Sequence, residues 1–391
     1  MRPPLSSVCY SLPSIRYAST AASPKAVPLA GITVVSLEQA IAAPFFIKVE
    51  RPGVGDFARN HDTRVNGLAS HFVWTNRSKE SLALVLKQPR DHRVLMRLLG
   101  RADVLVQNLA PGASARLGLS YADLQPAHPS LIVCNISGYG PDGPYRDKKA
   151  YDLLIQGEAG MLSVTGTGQE PAKVGISIAD IAAGSYAYSN ILAALYQRER
   201  DPQRSGRNID ISMLESMVEW MGFPMYYTYN NAPGPTPAGA SHAAIYPYGP
   251  FEAGDGKSAK FCDVVLGNAS LASDRRFVNN SVRSKNREKL KRIICDVFSG
   301  LSAEQAIARL DEAGIANASV NDMQGVWDHP QLKARRRWTD VTTPAGSVPA
   351  LLPPGMTDGG DDTYDARMDA VPDVGEHKEA ILAELGLDEE S

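Results

Sequence analysis

The 391-residue chain is poor in cysteine. It has four, Cys9, Cys134, Cys262 and Cys295, far apart and with no C-x-x-C pair. That spacing suggests neither a disulfide framework nor a zinc site, and reduced structural thiols are expected. An excess of charge of one sign is also missing. Lysine and arginine number 40 against 43 aspartate and glutamate, a net charge of -3. This gives no support to a nucleic-acid partner or a polybasic membrane contact. No apolar run approaches the roughly 18–20 residues needed to span a bilayer, so a soluble protein with no membrane partner is expected. What remains is ordinary globular composition, with 43% hydrophobic and 21% charged residues. At roughly 150 residues per domain, the length allows two to three domains.

Acidic residues are absent from the start of the chain. The first carboxylate is Glu38, while Arg2, Arg16 and Lys25 precede it and six serines lie among the first 23 residues. An acid-free, Ser-rich and cationic start is the pattern of an organellar transit peptide, with Arg16-Tyr17-Ala18-Ser19 as a cleavage region. Residues 1–28 are expected to direct the chain to the mitochondrial matrix. A plain disordered extension is the alternative, which would leave the protein cytoplasmic or peroxisomal.

The body alternates short apolar runs with helical patterns. Ile32 to Leu37, Ile47 to Glu50, Ser81 to Leu86, Asp103 to Asn108, Leu131 to Gly138 and Ile209 to Ser212 read as strands. Asp91 to Arg101, Ile178 to Arg198 and Met213 to Met221 read as helices. This alternation predicts an α/β fold with a parallel sheet. From Phe223 to Pro250 the chain is rich in proline and glycine and reads as loop. Asn286 to Phe298 and Ser302 to Ala313 then read as amphipathic helices of a smaller domain. Gly375 to Leu385 reads as a final helix stopped by Gly386.

Two elements are short of residues. A parallel crossover usually takes a dozen residues or more, yet only nine separate Leu37 from Ile47. The hairpin announced by Tyr246 to Glu252 and Ala253-Gly254-Asp255-Gly256 has no β-branched return arm before Phe261. A shortened gene model or splice form is the simplest account of both.

Three loops follow strands and carry glycine. Ile47-Lys-Val-Glu-Arg-Pro-Gly-Val-Gly-Asp56 presents Arg51, which there can meet a phosphate. Asn108-Leu-Ala-Pro-Gly112 is followed by Arg116 about one helical turn later. Gly138-Tyr-Gly-Pro-Asp-Gly-Pro144 is the third. None is a Walker loop or a G-x-G-x-x-G, which removes support for nucleotide hydrolysis and NAD binding. Each loop taken alone is equally well a solvated surface turn. After the third comes Ala150-Tyr151-Asp152-Leu153-Leu154-Ile155-Gln156, where Asp152 is the one acid in an apolar stretch. An aspartate in that setting most often caps its own helix.

Taken in order, VERPGVGDFAR, NRSKESLAL, NLAPG, ISGYGPDGP, AYDLLIQ and the tail VPDVGEHKEAILAELGL resemble the class III coenzyme A transferases, which include the formyl-CoA and carnitine-CoA enzymes. The resemblance runs from Leu29 to Leu387. It implies an interlocked homodimer with a Rossmann-like large domain, whose parallel sheet is built from both chain ends, and a smaller α+β domain. On that pattern residues 29–222 are the large CoA-binding domain and 223–330 the small domain with linker loops. Residues 331–391 return to the large domain and end in a helix.

The resemblance places the family's nucleophilic aspartate on Asp152. It places CoA contacts on Ile41, Ala42, Arg51, Asn76, Arg77, Ser78, Lys79, Asn108, Leu109 and Arg116. Ser137, Gly138 and Tyr139 would flank the thioester, and Gly234 to Ala243 falls where the family carries a mobile glycine-rich loop. It implies no metal and no permanently bound cofactor, since CoA thioesters and free carboxylic acids are the substrates. The stretch Tyr226 to Phe251 resembles the branch acting on short dicarboxylates such as itaconate, mesaconate, citramalate or succinate. His242 is one candidate cation for the distal carboxylate, and an exposed loop histidine is the plainer reading. Two other readings stay open. One is an α-methylacyl-CoA racemase, although Tyr151 stands where those enzymes carry a histidine base and tyrosine titrates near 10. The other is an inactive relic lacking two structural elements.

Overall fold

The computed structural model describes residues 29–37, 47–240, 246–247, 261–355 and 366–387. The N-terminal 28 residues, Ile41 and Ala42, His242 and both short connections lie outside the described residues. The chain divides into two compact units, one of which, Ile32–Leu352 with Met368–Ser391, holds every element named below. The other, Met1–Gly31 with Pro353–Arg367, is described only at residues 29–31, 353–355 and 366–367, without helix or strand there.

Six strands form one sheet: β1 (Val34–Leu37), β2 (Ile47–Glu50), β3 (Glu80–Ala83), β4 (Val104–Gln107), β5 (Ile132–Ser137) and β6 (Asn208–Ser212). Every pairing is parallel and the order is β3-β2-β1-β4-β5-β6. This is the strand order of the doubly wound nucleotide-binding folds. The sheet expected from both chain ends draws its described strands from residues 34–212 alone. The C-terminal end contributes a helix, α9 (Lys378–Glu384), packed against β3.

Both faces of the sheet are buried, which is why the strands are apolar runs rather than alternating ones. Successive side chains point to opposite faces. Val34, Val104, Val106, Ile132, Cys134 and Ile136 enter one core, and Val35, Leu105 and Val133 enter the other. The first core is closed by three helices, α3 (Asp152–Glu158), α4 (Ile178–Arg200) and α5 (Met213–Trp220). Helix α4 packs close because its buried face is mostly alanine: Ala179, Ala182, Ala183, Ala187 and Ala194. The second core takes α2 (Pro89–Leu99) through Val94, Leu95, Leu98 and Leu99, and α9 through Ile381, Leu382 and Leu385. Cys134 sits wholly inside the first core, and burial, with the Asp210 charge second, pushes its thiol up to about 12, so it is inert.

Helix α6 (Gly222–Tyr227) corrects the loop expected from Phe223 onward. Pro224 lies in its first turn, where the backbone N–H has no helical acceptor to lose. Beyond the glycine- and proline-rich stretch, α7 (Arg287–Phe298) and α8 (Ala303–Glu312) belong to a helical region. It has its own core of Phe261, Val265, Leu271, Phe277, Leu290 and Ile294. An antiparallel hairpin, β7 (Trp338–Thr343) and β8 (Gly346–Leu351), follows. Its Val341 packs on α1 (Ser70–Asn76) through Phe72. No helix of the described residues is long and apolar enough to cross a membrane.

Candidate active site

All six strands point the same way, so their carboxyl ends share one edge of the sheet. Chain order reverses between β1 and β4, and in open α/β sheets the ligand crevice opens at that reversal, outside the strand ends. Arg51, Asn108 and Ser137 stand at the ends of β2, β4 and β5 on this edge. Ile41 and Ala42, expected beside them after β1, lie outside the described residues.

A buried ion network fixes the loop that carries Arg51. Lys48 and Asp56, both 1% exposed, pair at 2.8 Å. Glu50 accepts from Arg59 Nη2 at 2.7 Å, Ser81 Oγ at 2.5 Å and the Asp56 N–H at 2.8 Å. Burial alone would push the Glu50 carboxyl up, but these donors outweigh it and hold it below the ordinary range. The Gly55 N–H donates to the Arg51 carbonyl at 2.9 Å, closing the turn and leaving the Arg51 side chain exposed.

The expected contact stretch after α1 is split by burial. Asn76, Ser78 and Lys79 are buried, and Arg77 alone is partly open. Ser78, at φ 63°, is occupied by the C-terminal tail: its N–H donates to the Ala370 carbonyl at 3.0 Å and its Oγ accepts from the Asp369 N–H at 2.8 Å. Asn76 donates to the Phe72 carbonyl at 3.0 Å, while its Oδ1 is buried without a partner. Burial lowers the Arg77 guanidinium from its ordinary value. After β4, the Gln107 side chain accepts from the Leu109 N–H at 2.8 Å and so shapes the Asn108–Leu109 turn. Arg116 ends the short helix Ala113–Arg116 and folds back over Gly112, whose φ is 70°.

Asp152 lies close to the third loop. Ser137 Oγ accepts from the Gly140 N–H at 3.0 Å, and the Gly138 carbonyl accepts from the Leu214 N–H at 3.0 Å. A Cβ on Gly138 would stand 2.3 Å from the Ala150 Cβ, so only glycine lets the loop lie against the segment leading into α3. The Lys148 ammonium sits 4.2 Å from the Tyr145 ring centre and pairs with Glu158 of α3, clipping the loop down. The Tyr139 hydroxyl beneath it is buried without a partner.

The Asp152 carboxylate does not cap its own helix, as its sequence setting suggested. Tyr151 is the capping residue and Asp152 the first helical one. Asp152 Oδ1 instead accepts the Ala179 N–H at 2.8 Å, in the first turn of α4. Its Oδ2 accepts from Gln156 Nε2 at 2.7 Å. A partly exposed carboxylate is thereby held by two donors, with the positive end of a long helix behind it. Such a group can act as a nucleophile toward a thioester carbonyl. The described start of the glycine-rich loop is tied to the same neighbourhood, since the Gly239 N–H donates to the Gly166 carbonyl at 2.7 Å just beyond α3. Among the described residues no cluster of His, Cys, Asp and Glu can hold a metal ion.

Comparison with known proteins decides the family. The profile described as CoA-transferase family III matches residues 29–378. The chain belongs to CoA-transferase family III. The succinate–glutarate CoA-transferase of Agrobacterium fabrum is 30% identical over 92% of this chain and 96% of its own length. The succinyl-CoA:mesaconate CoA-transferase of Haloarcula hispanica is 29% identical over 91% of this chain and 96% of its own. A CAIB/BAIF family protein from Brucella suis, of solved structure, superposes with a TM-score of 0.80 at 31% identity, covering 92% of this chain and 99% of that one. As a class III CoA-transferase the protein takes CoA thioesters as substrates and needs no permanently bound cofactor.

Three groups beside Asp152 in this CoA-transferase were not singled out from the sequence. Gln156 stands four residues on, the spacing at which helical side chains meet, so the pattern carried that signal. The Ala179 N–H lies 27 residues away and left none. Asp180 follows Ala179, and burial first, with the Asp152 charge second, raises its carboxyl to about 6.

Proposed function

We propose that this CoA-transferase moves coenzyme A between short dicarboxylic acids through covalent intermediates on Asp152. The observation that carries the reading is the Asp152 carboxylate, held by the Ala179 N–H and Gln156 beside the Gly138 loop. The substrate class is supported by relatives named for succinate with glutarate and for succinyl-CoA with mesaconate.

One Asp152 oxygen attacks the donor thioester carbonyl, forming an acyl–aspartyl anhydride and expelling CoA thiolate. The thiolate then attacks the aspartyl carbonyl, giving an aspartyl-CoA thioester and releasing the donor acid. The acceptor carboxylate runs the sequence in reverse, and no net proton is needed. Both intermediates hydrolyse readily, so the site must exclude water. Backbone donors of the glycine-rich loop would stabilise each oxyanion. On this reading Arg51, Asn76, Arg77, Ser78, Lys79, Asn108, Leu109 and Arg116 line the CoA path, with Ile41 and Ala42, and Ser137–Tyr139 flank the thioester. The buried positions of Asn76, Ser78 and Lys79 leave shaping that path as their part, and the exposed Arg51 and Arg116 are the cations suited to CoA phosphates.

The test is a screen of acyl-CoA donors against C4 and C5 acids with mass-spectrometric readout, beside the Asp152→Asn variant. Asparagine leaves one donor facing the Gln156 amide, a cost of about 1 kcal/mol in stability. Turnover should nevertheless fall by several powers of ten, at about 1.4 kcal/mol per tenfold, because an amide cannot form the anhydride. Hydroxylamine or borohydride trapping should modify the peptide holding Tyr151 and Asp152. Surviving turnover, or an adduct on another peptide, would overturn the assignment.

A further inference from the structure

Gln156 is wholly buried, and each end of its amide is used. Nε2 donates to Asp152 Oδ2 at 2.7 Å, and Oε1 accepts from the Val174 N–H at 2.9 Å. The Val174 bond fixes which way round the amide lies, because an N–H can only donate to the oxygen. Nε2 is therefore committed to the carboxylate. Together with the Ala179 N–H on Oδ1, this orients the carboxylate plane from two sides, once from its own helix and once from α4.

We infer that Gln156 is the positioning residue of the transfer reaction, aiming Asp152 at the thioester and holding a donor on its carbonyl oxygen as charge develops there. The inference rests on Asp152 being the nucleophile. When CoA thiolate attacks the anhydride at the aspartyl carbon, a C–S bond forms and the carbonyl π pair moves onto the remaining aspartyl oxygen. That pair returns as the donor carboxylate leaves. The remaining oxygen is either Oδ1 or Oδ2. Since each carries a donor in the resting enzyme, the oxyanion is met by a hydrogen bond already in place, without reorganisation. A carboxylate left with one donor is free to swing about its Cβ–Cγ bond and loses the near-attack geometry.

Two variants in the full chain test this. Gln156→Met keeps the side-chain length and loses both hydrogen bonds. Gln156→Glu keeps the shape and replaces the donor with a carboxylate. The charged groups around that position are Asp152 on its own helix, Asp180 in the first turn of α4, and Lys173, whose ammonium donates to the Val174 carbonyl at 3.2 Å. In its ionised form the introduced carboxylate would repel Asp152. Once protonated, its O–H donates to Asp152 while its carbonyl accepts from Val174.

With folding verified by circular dichroism, Gln156→Met should lower kcat at least about tenfold with the KM for the acyl-CoA donor within about twofold, the signature of a loss confined to the transition state. Gln156→Glu should be slow near pH 8 and recover relative to the parent as the pH falls toward 6. Asp180 is present in both enzymes, and the parent's own pH profile is the reference against which that recovery is read. A kcat per folded site equal to the parent's in Gln156→Met, or a pH-independent ratio in Gln156→Glu, would overturn the inference, and either variant suffices if the other fails to fold. Trapping separates the two levels. An adduct on Asp152 with normal turnover in the variants sinks Gln156 alone, whereas an adduct elsewhere sinks the nucleophile assignment itself.

Discussion

At the scale of single residues the site sets two carboxyl groups close together, with Asp180 on the residue after the one whose N–H binds Asp152. Asp180 is raised from 3.8 to about 6, by burial first and the Asp152 charge second. A raised acid binds its proton more tightly in the folded state. Its stabilising contribution is complete below about pH 3.8 and is lost as pH rises through about 6, above which the ionised group opposes folding. Asp180→Asn should therefore raise the melting temperature by a few degrees near pH 7.5, for roughly 1–3 kcal/mol, and leave it unchanged near pH 4. Calorimetry across that range checks it, and an equal shift at both pH values would refute the charge argument. The sequence made Asp152 legible, because an acid alone in an apolar stretch has to be accounted for. It could not say what the acid binds. The Ala179 partner is set by how α3 packs on α4, a tertiary fact with no local pattern. The capping expectation failed for the same reason: the carboxylate does meet a helix N-terminus, but that of the neighbouring helix.

At the scale of elements the strands of the parallel sheet were readable because burial on both faces makes each a short apolar run, and each lies within two residues of its expected bounds except at the Leu86 end of β3, whereas the hairpin β7–β8 had no expected bounds. Helix α6 was hidden by Gly222 and Pro224, breakers in the middle of a helix but harmless in its first turn. What the element level demands most strictly is Gly138. Carbon atoms pack at about 3.5–4.0 Å, so the 2.3 Å between an added Cβ and the Ala150 Cβ forces the loop and the segment before Asp152 apart by more than about 1 Å. Gly138→Ala should cost about 1–3 kcal/mol in stability and about tenfold or more in kcat, since misplacement on that scale is expensive in catalysis. Adding Ala150→Gly removes the colliding methyl and should restore both, which steady-state kinetics and thermal melts on the double variant would show. Failure of the second change to rescue would mean that the close approach is not what Gly138 is for.

At the scale of the whole molecule the apolar surface is unevenly placed. Tyr151, Leu153 and Leu154 of the segment carrying Asp152 are 71%, 48% and 48% exposed, and Phe223, Met225 and Tyr226 of α6 are 63%, 53% and 79% exposed. Large side chains gathered on one helix, rather than scattered singly, mark a surface that another protein covers. Covering a fully exposed side chain of this size is worth roughly 1.5–3 kcal/mol, and each of these has about half or more of that still to gain, less the cost of association. A second copy of the chain is the occupant that the resemblance to class III transferases implies, with the two chains threaded through each other. Sedimentation should accordingly give twice the 42.1 kDa of one chain, with no dissociation on dilution. Threading adds a sharper consequence. Chains that merely touch exchange partners at the rate at which they separate, but threaded chains exchange only after one of them unfolds. Tagged and untagged dimers mixed under native conditions should therefore yield no mixed dimer over days, and should yield the statistical mixture after denaturation and refolding together. Rapid exchange at native pH would leave a dimer without interlocking, and a mass of one chain would mean that the exposed faces of α3 and α6 are covered by something else.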